Sequence, residues 1–198
     1  MLKAVPAWTA APLAACLDRL RKLSIPALGF VTIGAAAELA IGWRFATSAV
    51  LPAYLVFGGL GAVVSLFDLA EQRVPNRLVL PSYPLLIGLF AVGSAYGGRW
   101  HEMIQATLAM LVLLGVFALI AFVRPGELGL GDVKLAGLTG LACGYLGAAV
   151  VVASVLIAFT SAAAALLALR VSGRGNKARL PFAPFMIFGS ILAVLLVR

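Results

Sequence analysis

The sequence predicts an all-α fold: a polytopic bundle of about six to seven transmembrane helices with its N-terminus in the cytoplasm. Three observations carry that expectation. Of the 198 residues, 63% are hydrophobic and only 11% charged, and the mean hydropathy is +1.11. A water-soluble domain of this size has no core large enough to hide so much apolar surface, whereas helices in a bilayer need not hide it. The apolar residues also fall into runs near the roughly 20 residues that about 30 Å of hydrocarbon requires. Finally, Lys and Arg gather in alternate connections between those runs, the pattern that sets membrane topology.

Residues 1–24 read as a cytoplasmic N-terminal segment and residues 25–198 as a single transmembrane domain. Leu13-Ala14-Ala15-Cys16 resembles a lipoprotein processing box. However, Pro6 and Pro12 interrupt the apolar stretch and Asp18, Arg19, Arg21 and Lys22 follow at once, so a chance match is the preferred reading. The expected spans are 25–43, 48–67, 78–97, 103–123, 133–147, 148–170 and 181–197. The fifth is short and rich in glycine (Gly137, Gly140, Gly144, Gly147), so it is expected to tilt or to lie only partly in the membrane. Gly144-Tyr145-Leu146-Gly147 is the turn signal that divides it from the sixth. Trp43 and Trp100 fall at span ends, the usual place for interfacial aromatics.

Orientation follows from the cations. With the N-terminus inside, only Arg44, Arg99 and Arg198 of the 15 Lys and Arg residues lie outside. That bias favours an odd number of spans. It also gives the net charge of +8 a membrane explanation. No basic stripe with interleaved aromatics points to nucleic acid. Cys16 and Cys143 are far apart, and His101 is the sole histidine. A Cys/His zinc site needs three or four ligands, so none is expected, and no cofactor is implied.

Against this apolar background Asp68 and Asp132 stand out, each where an apolar run meets a polar loop. A carboxylate at a helix centre costs about 2.5–3.5 kcal/mol on insertion scales, which marks such groups as functional candidates. Two spans separate them, so both face the same side of the membrane, the cytoplasmic one under this topology. Two neighbouring carboxyls do not ionise independently: one proton leaves readily and like-charge repulsion holds the other. One base and one acid are what the hydrolysis of a peptide bond needs, without Ser, Cys, His or metal. Glycines at 126, 129 and 131 let backbone approach an extended substrate beside Asp132. Taken singly, each aspartate has a plainer reading: Asp132 as N-cap of a helix beginning at Val133, and Asp68 as a helix-end residue paired with Arg73. Glu38, inside the first span, is expected to pair with Arg44 or to face a polar interior. Glu71 and Glu127 flank the aspartates, as solvated charges or as local attraction for a basic substrate. His101 and Glu102 fall on the opposite face. Pro75 and Asn76 alone are turn residues.

Three segments together resemble the type IV prepilin leader peptidases. Asp68 followed after six residues by Pro75-Asn76-x-Leu78 is similar to the family's first aspartate motif. Gly126-Glu127-Leu128-Gly129-Leu130-Gly131-Asp132-Val133-Lys134-Leu135 resembles its second motif, the GxGD aspartate followed by Val-Lys-Leu, and Pro181-Phe182-Ala183-Pro184-Phe185 the opening of its last span. The segments occur in the family's order, and the similarity covers roughly residues 50–198. The resemblance implies an intramembrane aspartic endopeptidase of a bacterial inner membrane that removes short leaders from pilin-like precursors. It assigns Asp68 and Asp132 to the catalytic pair. Gly129, Gly131, Lys134, Glu71, Glu127, Pro75, Asn76, Pro181 and Pro184 become substrate-binding or site-shaping residues. Longer members carry a cytoplasmic insert with paired CxxC motifs and also N-methylate the product with S-adenosylmethionine. Residues 44–48 form only a short connection without cysteine, so the compact, peptidase-only form is expected. The alternatives are an ion-coupled transporter using membrane-edge carboxylates and an inactive assembly factor of the same family. Membrane lipid and the precursor are the expected partners; the sequence leaves oligomeric state open.

Overall fold

The structure, a computed structural model, describes residues 27–72, 74–124, 128–172 and 180–197. Among these, seven helices follow one another: α1 (Ala27–Arg44), α2 (Leu51–Glu71), α3 (Asn76–Gly97), α4 (Trp100–Val123), α5 (Leu130–Gly144), α6 (Ala148–Val171) and α7 (Ala183–Leu196). The described residues contain no strand. Short connections make sequence neighbours antiparallel. The ends of α2, α4 and α6 and the starts of α3, α5 and α7 therefore share one end of the bundle. The polytopic helical bundle expected from composition is the fold. The N-terminal segment 1–24 lies outside the described residues.

Four helices, α2, α3, α4 and α6, are long and apolar enough to cross a membrane by length and composition. The fifth expected span has a different place. At 15 residues, α5 is about 22 Å long, shorter than the hydrocarbon core. Every residue from Leu135 to Gly144 is buried, because the other helices enclose it. Its glycines, Thr139 and Cys143 thus meet protein rather than lipid. The turn signal before the sixth span is real: α5 ends at Gly144 and α6 opens after Gly147, whose φ of 120° lies in a region that favours glycine.

Of the boundaries that move, two matter for the aspartates. The helix expected to stop at residue 67 runs on to Glu71, so Asp68 sits in the last turn of α2 rather than in a loop. Gln72 ends that helix in a left-handed conformation (φ 51°) and its N–H donates to the Asp68 carbonyl at 2.9 Å. The helix expected to start at Val133 begins at Leu130 instead, with extended Gly129 as its N-cap. Asp132 and Val133 N–H groups both donate to the Gly129 carbonyl, at 3.0 and 3.3 Å. Asp132 therefore belongs to the first turn and does not cap it.

The most extensively packed helix pair is α4 with α5. An ideal Cβ on Gly140 would stand 2.5 Å from the Ala109 carbonyl oxygen, so only glycine permits this approach. At the far end from the aspartates, Phe45 stacks on Tyr54, Tyr54 meets Phe90 edge-on and Phe90 stacks on Tyr145. The Tyr54 hydroxyl donates to the Ala142 carbonyl at 2.9 Å. These contacts tie α5 to α2 and α3. Arg44 donates to the Val197 carbonyl at 3.0 Å, while Glu38 lies against Gly58 of α2, so the expected Glu38–Arg44 pair gives way to separate contacts. Gly140→Val is expected to force α4 and α5 apart at a cost of about 1–3 kcal/mol. Circular dichroism melting in detergent checks it, and an unchanged melting temperature would refute the packing argument.

Candidate active site

Asp68 is only 6% exposed. Its position in the last turn of α2 points it at the start of α7, where Ala183 N–H donates to its Oδ2 at 3.0 Å. That N–H is one of the donors at a helix start that the helix itself leaves unpaired, and the N-terminal dipole adds to the attraction for a carboxylate. Pro184 supplies no N–H in that first turn. The Pro-Phe-Ala-Pro segment thus presents a single backbone donor at Ala183 to the first aspartate.

Asp132 approaches from α5. An ideal Cβ on Gly129 would lie 3.3 Å from Asp132 Oδ2, so the carboxyl rests beside bare backbone. On Gly131 an ideal Cβ would lie 2.6 Å from Val74 Cβ, which makes glycine the condition for the α5 turn to approach Val74. Asp132 precedes the apolar run of α5, and its pKa is raised to about 6. Burial is the largest cause, followed by the negative charge of Asp68, with the Gly129 N–H pulling the other way. Asp132 therefore feels the charge of Asp68.

Both carboxyls line one cleft of about 320 Å3, together with Gly129, Gly131, Lys134 and Asn76. Lys134 Nζ donates to Asn76 Oδ1 at 2.7 Å across its rim. Pro75 stands next to this group as the extended N-cap of α3, and Glu71 is exposed at the end of α2. Pro181 and Pro184 flank the Ala183 donor, but Pro184 lines a different concavity. That groove, about 420 Å3 between α1, α2 and α7, is apolar apart from Ser65, which lies one turn before Asp68. Gly126, Glu127 and Arg73 lie outside the described residues, and with them the Asp68–Arg73 pairing. His101 is exposed at the opposite end, where Arg99 and Glu102 pair at 2.9 Å. Among the described residues no group of His, Cys, Asp and Glu is arranged to hold a metal ion.

Sequence reasoning missed four members of this site. Gln72, Val74 and Leu130 line the cleft, and Ala183 supplies the donor to Asp68. Gln72 could have been found only from its left-handed backbone, and Ala183 only from its N–H, neither of which a residue type announces.

A polytopic membrane bundle with two carboxyls in one glycine-walled cleft defines the class of protein. The particular family is given by comparison: the type IV leader peptidase family profile matches residues 54–197, and the chain belongs to that family. Over 157 residues it is 34% identical to the prepilin leader peptidase/N-methyltransferase of Bacillus subtilis (strain 168). The match covers 79% of this chain and 60% of that protein. No solved structure matches.

An infrared pH titration of the detergent-solubilised protein is expected to show a carboxylic acid band lost near pH 6. Asp132→Asn should remove it. Asp68→Asn should move its midpoint down, because the raising charge is gone. A band unaffected by either change would contradict the shared cleft.

Proposed function

We propose that this chain is an intramembrane aspartic endopeptidase that removes the short leader from type IV prepilin or pilin-like precursors. It works at the cytoplasmic face of a bacterial inner membrane. The observation that carries the reading is the meeting of Asp68 and Asp132 in one cleft, with the charge of the first raising the pKa of the second. Family membership and the prepilin-peptidase relative support the substrate class. The excess of Lys and Arg in the connections on the aspartate side supports the cytoplasmic orientation.

Asp132, its pKa raised to about 6, serves as the acid through its protonated fraction, and Asp68 serves as the base. Asp68 takes a proton from water as its oxygen attacks the scissile carbonyl carbon. Asp132 protonates the carbonyl oxygen; on collapse of the tetrahedral species the C–N bond breaks as Asp68 passes its proton to the leaving amine and a hydroxyl returns its proton to Asp132. Gly129 and Gly131 leave the wall beside Asp132 without side chains, which suits an extended backbone. The apolar groove reaching Ser65 and Pro184 gives the precursor's hydrophobic helix a lateral route toward Asp68. The 44–48 connection has no room for a cysteine-rich insert. The reading is therefore peptidase alone, without N-methylation.

The purified chain in detergent, incubated with a pilin-like precursor, is expected to cut it at one bond, read by mass spectrometry. Asp68→Asn and Asp132→Asn should each reduce the rate by about 10²–10⁴-fold with the melting temperature retained. Wild-type rates in either variant would refute the mechanism. The free-enzyme profile, kcat/KM against pH, should fall as pH rises through about 6, because deprotonating Asp132 removes the proton donor. A profile flat to pH 9 would assign the acid elsewhere.

A further inference from the structure

The peptidase reading leaves Lys134, Asn76 and Tyr83 without roles. Lys134 follows Asp132 by two residues, yet its ammonium is directed at the amide oxygen of Asn76, 2.7 Å away, rather than at a carboxylate. The influences on Asp132 are burial, the charge of Asp68 and the Gly129 N–H. The main chain of Lys134 is bonded as well: the Tyr83 hydroxyl donates to its carbonyl at 2.6 Å. Residue 134 is thus held to α3 at both ends, once at the first residue of that helix and once two turns along. Tyr83 occupies its place because residue 137 is glycine. Any Cβ there would meet the Tyr83 hydroxyl and stand 3.0 Å from a Leu114 methyl.

α3 is also the helix that follows Asp68, through the short connection at residues 72–75. That connection packs Val74 against Gly131. The first turn of α5, which carries Asp132, is therefore pinned to the segment running on from Asp68 by a charge-assisted hydrogen bond, a second hydrogen bond and a steric contact. From its other side α5 is gripped by α4 through Gly140. The separation left free by that grip is the one between the α5 turn and Gln72, Val74 and Asn76, across the mouth of the cleft.

We infer that Lys134, Asn76 and Tyr83 form a clasp that sets the spacing of the two aspartates: they are positioning residues and neither bind substrate nor exchange protons. The inference rests on the peptidase reading of the cleft. A misplacement near 1 Å of a reacting group can cost about 10²-fold in rate, so loosening the clasp acts on the chemical step. It also moves Asp132 away from the charge that raises it.

The test uses the full chain in detergent and a synthetic precursor with a basic leader, a glycine before the cut and an apolar helix. Lys134→Met, Asn76→Ala and Tyr83→Phe are expected each to lower kcat by about tenfold or more while KM stays within about twofold. Tyr83→Phe removes only a hydroxyl and guards against a folding artefact. The Lys134→Met/Asn76→Ala double variant should be no slower than the slower single variant, because either change breaks the same bond. Lys134→Arg keeps a donor for Asn76 and should recover most of the rate. The alkaline limb of kcat/KM should move to lower pH in Lys134→Met as Asp132 parts from Asp68. A rise in KM at unchanged kcat, or additive losses in the double variant, would overturn the clasp and make these residues substrate contacts. Should Lys134→Met and Tyr83→Phe cleave at the wild-type rate while Asp68→Asn and Asp132→Asn are inactive, the clasp alone is wrong. Should the two aspartate variants cleave normally, the clasp and the peptidase reading fall together.

Discussion

The hydrogen bond from Ala183 N–H to Asp68 is the contact on which this end of the molecule depends. A carboxylate 6% exposed at the edge of an apolar bundle is expensive unless a donor faces it. The start of α7 is such a donor, since a helix leaves its first N–H groups unpaired. The same bond serves both partners, as it satisfies an orphan amide and holds an acid. It also fixes where α7 begins, and hence how α7 lies across α2. Moving Asp68 by one residue would rotate it about 100° around α2 and away from that amide.

The second constraint is the closeness of backbone to backbone around α5. Lipid-exposed helices gain nothing from burying apolar surface against each other, so association relies on close packing by small residues. α5 is pressed against α4 at Gly140 and against residue 74 at Gly131. Its shortness follows from the same arrangement. A helix enclosed by others need not span the hydrocarbon, and it can start at the level of the aspartates. Both α5 and α7 do so, with 15 and 14 residues. The two short helices bring their N-termini to the cleft, where one carries an acid and the other holds one.

The cleft brings Asp68, Asp132, Asn76 and Lys134 into a small volume. Asp132, raised toward neutrality by burial and by Asp68, and Lys134, tied to Asn76, stand a few residues apart on α5 without acting as an ion pair. That separation matters chemically. An ammonium placed on Asp132 would favour its ionised form and remove the acid that a two-carboxylate mechanism needs. Directing the ammonium to a neutral amide keeps the charge satisfied and leaves the acids to each other.

Much of this was legible in the residues. Apolar runs separated by basic loops specify a helical membrane bundle, because backbone in hydrocarbon must satisfy itself and helices do so locally. The two intervening spans place Asp68 and Asp132 at one end of the bundle, a matter of parity that needs no packing. Glycines beside Asp132 signalled close approach. What residue types could not show was which helix ends meet. Ala183 is a donor through its backbone, Gln72 lines the cleft through a left-handed turn, and the Lys134–Asn76 and Tyr83–Lys134 bonds join residues 58 and 51 positions apart. The extensions of α2 to Glu71 and α5 back to Leu130 were equally hidden, because Asp, Glu and Gly read as loop in sequence and become helix when a neighbouring element supplies their partners. Local chemistry along the chain decided the class of fold and the two acids. Only the tertiary contacts decided their depth, their charge coupling and the struts that hold them, since those depend on atoms that the chain brings together from afar.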